Sequence, residues 1–272
     1  MTDARVPLFW VDAFCEGPFT GNPAAVCLLE GPGSDFGMQA LARELGLSET
    51  AFAWPEGEAF GLRWFTPVSE IELCGHATVA AAHALAHSGR LEDGHARFST
   101  KSGWLEATVD GEQVEIDLPA ETPVPADPPP ELAAHWPVVR AAAGRFDLLV
   151  ELESEDAVRR LDPEAVDLAA LCCRGVSATA RGGGGADYVL RFFAPSVGVA
   201  EDPVTGSAQC LLGPYWAAAL GRTRLCAMQL SARGGVLRVR VGATRVGVGG
   251  RASTVFVGEL AGSAAQQLLA AS

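Results

Sequence analysis

Cys74, Gly75 and His76 stand in a row near the start of the segment ELCGHATVAAAHAL (72–85), and almost nothing polar follows them. A helix that is apolar nearly all round is covered on every side. Its first turn still carries four backbone N–H groups without intrahelical partners and about half a positive charge. An anion is the natural partner for such a head. Gly75 lets a carboxylate approach the backbone with no Cβ in the way, and His76 adds a side-chain donor at the same point. The segment EDPVTGSAQCLLGPYWAAALG (201–221) repeats the arrangement, with Asp202, Thr205, Gly206 and Ser207 ahead of a second apolar helix. Local roles compete with ligand binding here: Ser207 or Thr205 would cap its own helix, Asp202 would bond loop N–H groups, and His76 would bond nearby backbone.

Proton transfer needs a titratable group near that head. Glu49, in LSETAF, falls between an amphipathic helix and the apolar run Ala51-Phe52-Ala53-Trp54. It is expected at a strand entrance within an apolar wall, where desolvation raises a carboxyl's pKa toward the range useful for acid/base work. The competing role is a solvated junction residue. Cys74 is open to activation by the helix dipole, against a role as a small core residue. His83 and His87 have a metal-ligand spacing, but the acid of an H-E-x-x-H motif is missing, so no metal is expected. The stretch RGGGGAD (181–187) lacks the Lys and Ser/Thr of a phosphate loop and reads as a turn.

The elements that carry these residues are written twice. RWFTPVSEIELCGHATVAAAHAL (63–85) overlies RFFAPSVGVAEDPVTGSAQCLLGPYWAAAL (191–220), which sets Arg63, Phe65 and Pro67 on Arg191, Phe193 and Pro195, and Gly75 and His76 on Gly206 and Ser207. SGWLEATVDGEQVEI (102–116) matches GGVLRVRVGATRVGV (234–248), two hairpins with alternating faces. QALARELGLSETAF (39–52) matches DLAALCCRGVSATA (167–180), with Glu49 opposite Ser177. Each half therefore reads as amphipathic helix, strand, strand, buried helix, hairpin. The expected fold class is α+β, two pseudo-symmetric domains that each wrap a curved sheet or barrel around a central buried helix. The expected boundaries are 1–118 for the first domain, 119–137 for a Pro-rich linker and 138–272 for the second domain. Duplicated domains commonly bind ligand in the crevice between them, so residues from both halves are expected at the site.

Composition narrows the partners. The net charge of -13, with 20 scattered Lys and Arg, disfavours nucleic acid. No run reaches the roughly 20 apolar residues of a membrane span, and the start MTDARVPLFW has no signal-peptide pattern, so a cytoplasmic protein is expected. Seven cysteines at irregular spacing with no C-x-x-C pair read as reduced thiols. Small molecules or other protein chains remain as partners.

Taken together, VDAFCEGPFTGNPAAVCLL, LSETAF, RWFTP, CGHAT and EDPVTGSA resemble the PhzF-like (phenazine biosynthesis-like) family, in the diaminopimelate-epimerase-like superfamily. The resemblance implies two similar domains, usually as a homodimer, and a cofactor-independent isomerase acting on a small carboxylate. It implies Glu49 as general acid/base, with Gly75, His76, Asp202, Gly206 and Ser207 binding the substrate. Two departures matter. The phenazine enzymes carry a small residue where this chain has Cys74, and the related epimerases and racemases pair a cysteine there with a second one. Thr205 occupies that second position and is a poor acid or base, so a two-cysteine racemase is not expected, and Cys74 stays open as an accessory or as a single-cysteine proton carrier. The segment QLSARGGVLRV (229–239) is closer to members without an assigned substrate. A non-catalytic small-carboxylate-binding protein of the same fold is the alternative function.

Overall fold

The computed structural model describes residues 4–270. The chain divides into two compact units, Met1–Asp117 with Gly250–Ser272, and Leu118–Gly249.

The first unit contains β1 (Arg5–Ala13), β2 (Asn22–Leu28), α1 (Asp35–Leu45), β3 (Thr50–Glu56), β4 (Ala59–Phe65), β5 (Glu70–Ile71), α2 (Gly75–His87), β6 (His95–Thr100), β7 (Gly103–Asp110) and most of β8 (Gln113–Pro119). The second contains β9 (Val124–Ala126), α3 (Pro130–His135), β10 (Val138–Ala143), β11 (Asp147–Leu152), α4 (Glu155–Arg160), β12 (Gly175–Arg181), β13 (Tyr188–Ala194), β14 (Val199–Asp202), α5 (Gln209–Leu220), β15 (Arg224–Gln229) and β16 (Gly235–Val241). β17 (Arg245–Ala261) starts in the second unit and ends in the first, where α6 (Gly262–Leu269) follows it.

In the first unit the strands close into a ring, β17–β1–β2–β3–β4–β6–β7–β8 and back to β17. The β2–β3 and β4–β6 pairs are parallel. At the closing seam, the Ala252 N–H donates to Glu112 O at 2.7 Å. Inside runs α2, buried from Gly75 through Leu85, with no polar face to give it a side. Alanines on four consecutive turns let the strands approach this helix closely, and Phe98, Leu62 and Trp64 fill the rest of the interior. Outside the ring, α1 and α6 cover an apolar layer that includes Leu8, Phe52, Met38 and Leu268. Helix α1 begins where Ser34 Oγ accepts from the Gly37 N–H at 3.0 Å, and it stops at Gly46, whose φ of 65° a side chain would resist.

The second unit repeats the pairing order: β9–β10–β11–β12–β13–β15–β16–β17, with β11–β12 and β13–β15 parallel. No pairing among the described residues joins β9 to β17, so this wall is not a closed ring. Its central helix α5 is accordingly buried over Gln209–Gly213 and exposed at Ala218 and Ala219, which corrects the expectation of a helix covered on every side. A cavity of about 590 Å³ lies along that uncovered side, lined by residues that include Ala126, Ala141, Pro214 and Tyr215.

Three further expectations differ from the structure. The segment 119–137 is not a free linker, because β9 pairs with β10 and Leu132 and Trp136, four apart, are buried in the second unit's core. The second unit ends at Gly249 and not at 272, because the last strand pairs with β1 along Arg5 to Ala13. The amphipathic helix expected at the start of 167–180 is only a turn at Leu168–Ala170, since Leu168 alone is buried ahead of β12 and so short a segment cannot repay helix nucleation. Among the described residues no helix is long and apolar enough to cross a membrane.

Candidate active site

In the first unit the polypeptide leaves α1, turns through Gly46 and enters β3 directly after Ser48 and Glu49. The head of α2 stands beside that entrance. Glu49 Oε2 lies 3.1 Å from His76 Nε2, with the two side chains 12% and 5% exposed. The contact is an ion pair, and Oε2 is buried with no further hydrogen-bond partner among the described residues. Ser48 Oγ is 3.5 Å from the same ring nitrogen. On the other side of the ring, Nδ1 faces the Asn22 amide at 3.1 Å and Cys74 Sγ at 3.6 Å.

The electrostatics reverse one expectation. Burial pushes the Glu49 carboxyl up, but the charge of His76 and the hydrogen bonds from His76 and Ser48 outweigh it, and the net pKa is lowered. Glu49 is thus held as a carboxylate. Burial opposes an imidazolium at His76, and the neighbouring Cys74 and Glu49 overcome that and raise its pKa well above the ordinary value. The Cys74 thiol is pushed up, by burial first and by the Glu49 charge second. Dipole activation of Cys74 therefore does not prevail, because desolvation of a thiolate costs more than the helix head returns.

Neither central helix has a side-chain cap. The surface helices α1 and α4 do, through Ser34 and Ser154. At α2 the first intrahelical bond is from the Thr78 N–H to Cys74 O, and the Ala77 N–H faces the Cys74 thiol, which leaves Gly75 and His76 as the head donors. Cys74 precedes them in an extended conformation.

The second unit places its expected residues in two groups. Asp202 belongs to a buried network: it accepts from Thr205 Oγ1, and Gln229 bridges the loop by donating to Asp202 O at 2.7 Å while accepting the Thr205 N–H at 2.8 Å. Gly206 and Ser207 sit at the head of α5, where the Gln209 N–H donates to Gly206 O. Ser207 does not cap the helix; its Oγ accepts from Arg174 Nη2 at 3.2 Å. Strand register also corrects the pairing of the halves. Val176 faces Phe193 as Thr50 faces Phe65, so Gly175, and not Ser177, stands where the first unit has Glu49. The second unit has no counterpart of the acid.

Asn22, Ser48, Arg174 and Asp147 were not singled out from the sequence. Asn22, polar and fully buried at the start of an otherwise apolar strand, was the one with a visible signal. As for metals, ligand atoms of Glu49, Cys74 and His76 lie within 4.8 Å of one another, but the Glu49–His76 pair already balances their charges.

A helix enclosed by a strand ring, in a duplicated chain, is the fold shared with PhzF-family and epimerase-like structures. The chain belongs to the phenazine biosynthesis-like (PhzC-PhzF) family, whose profile matches residues 11–258. It is 47% identical over 252 residues to an uncharacterized isomerase of Pseudomonas aeruginosa, covering 92% of this chain and 96% of that one. An uncharacterized isomerase of Halalkalibacterium halodurans is 43% identical over 259 residues, covering 93% and 98%. The crystal structure of a PhzF-family phenazine biosynthesis protein from Enterococcus faecalis superposes with a TM-score of 0.89 at 41% identity, over 94% of this chain and 99% of that one.

Proposed function

We propose that the protein is a cofactor-independent isomerase that moves a proton on a small carboxylate substrate, with Glu49 as general base and then general acid. The observation that carries this is the buried Glu49 carboxylate held against His76 beside an uncapped helix head. Its lowered pKa keeps it ionised, and Oε2 has lone pairs to accept a proton from carbon. The electron pair left on the substrate would be stabilised by fixed donors, the N–H groups of Gly75 and His76, with the positive charge of the His76 ring beside them. Glu49, now protonated, returns the proton to a different carbon, and the carboxylate is restored. Gly206 and Ser207 supply a second carboxylate grip, and Asp202 shapes the loop that leads to them. The isomerase names of the relatives support the reaction class. A cytoplasmic homodimer belongs to the same proposal.

The test is Glu49→Gln, which keeps size and removes the base. Turnover of dihydro-hydroxyanthranilate, or of whichever small cyclic or amino carboxylate proves active, should fall about 10³-fold. Binding of anthranilate, a non-reactive probe, should persist within a few-fold. Normal turnover by the variant would overturn the assignment.

A further inference from the structure

Arg174, in the loop before β12, is a charged group that the proposed proton transfer leaves unused. Its guanidinium forks onto Asp147, Nε at 2.8 Å and Nη2 at 2.5 Å, and the Asp147 side chain is only 6% exposed. The same Nη2 donates to Ser207 Oγ. A hydroxyl has one proton and two lone pairs. With one lone pair taken by Arg174, the proton of the partly exposed Ser207 hydroxyl is left for solvent or a ligand, since no hydrogen bond donated by it is found among the described residues. The N–H groups of Gly206, Ser207 and Ala208 are in the same position, since Gln209 is the first at this head to find an acceptor.

The first unit has the same construction. By strand register Arg174 stands where that unit has Ser48, and in the sequence repeat Ser207 falls on His76; Ser48 is likewise within reach of His76. In both units a residue at the entrance to the third strand orients the side chain at the helix head. The first unit makes a base there, and the second makes a surface of donors.

We propose that Arg174, anchored by Asp147, is a positioning residue: it holds Ser207 so that the hydroxyl proton is presented to a bound carboxylate. The inference rests on the reading of the α5 head as a carboxylate grip. Asp147 fixes the guanidinium from behind and balances its charge, so Arg174 acts through geometry, and a lysine that keeps the charge but lacks the planar fork cannot replace it.

The experiment is a double-mutant cycle read by calorimetry with anthranilate as the probe, using the full chain. Ser207→Ala should weaken binding about tenfold, and Arg174→Lys by a comparable factor. The double variant should be no more than about twofold weaker than Ser207→Ala alone, because Arg174 works through Ser207. With an active substrate, Arg174→Lys should raise KM and leave kcat nearly unchanged, the opposite of Glu49→Gln. Unaltered binding by Arg174→Lys, full multiplication of the two losses, or failure of the wild type to bind anthranilate would each overturn the inference. Should the lysine variant not fold, Asp147→Asn with Arg174→Gln removes the ion pair as a neutral couple and is read against Ser207→Ala in the same way. Normal turnover by Glu49→Gln would end the proton-transfer reading and leave this cycle to judge Arg174 on its own.

Discussion

Glu49 and His76 set each other's charge, and that coupling can be titrated. Because the folded pKa of Glu49 is lowered, the acid limb of a kcat/KM profile should lie below the ordinary carboxyl value. His76→Gln removes the opposing charge and leaves burial countered only by Ser48, so the limb should move to higher pH; an unmoved limb would mean that His76 does not hold the carboxylate. Stability follows the same linkage. A carboxyl with a depressed folded pKa adds stability above its unfolded pKa and loses it as pH falls through the folded value. Denaturation of wild type and His76→Gln should therefore differ most at neutral pH and converge in acid, apart from what the charge of His76 itself contributes. Cys74 is buried with a raised pKa, whereas Cys172 is exposed. Limited alkylation at neutral pH, mapped by peptide mass spectrometry, should label Cys172 while Cys74 stays protected and activity is retained. Rapid labelling of Cys74 with parallel loss of activity would bring the thiol into the mechanism. Glu49, Gly75 and His76 were legible in the sequence because each sits in a compact motif at an element boundary. Arg174 and Asp147 were not, because an ion pair between residues far apart in the chain becomes visible only when β11 and β12 pair.

Elements were legible where a period or a repeat was strong, as for the two central helices, the hairpins and α1. They failed where few residues carry the burial. Between 119 and 137 the prolines outweigh any pattern, yet Leu132 and Trp136 anchor α3, and three residues of β9 suffice to pair with β10. Trp136→Ala should cost about 3–5 kcal/mol in chemical denaturation if this segment is part of the second unit's core. A cost within the usual surface range of about 0.5 kcal/mol would return it to a linker. Helix α5 shows the reverse error: its composition is apolar all round, but alanines at 218 and 219 tolerate solvent, and no rule of period separates a covered alanine from a bare one.

For the molecule as a whole, the duplication could be read from recurring residues, but the exchange of the last strand could not, since a linear alignment assigns each segment to the half in which it occurs. β17 pairs with β1 only after it has left the second unit. A chain ending at Gly249 leaves β1 paired with β2 alone and exposes its other edge. Its first unit should lose the dispersed amide resonances of a folded barrel, and a wild-type melting profile for that truncation would contradict the topology. The central claim concerns chemistry, and proton NMR in heavy water addresses it most directly. Incubated with dihydro-hydroxyanthranilate and a panel of small cyclic and amino carboxylates, the wild type should place solvent deuterium in a product, and Glu49→Gln should place none. Equal deuterium incorporation by both proteins would contradict the account.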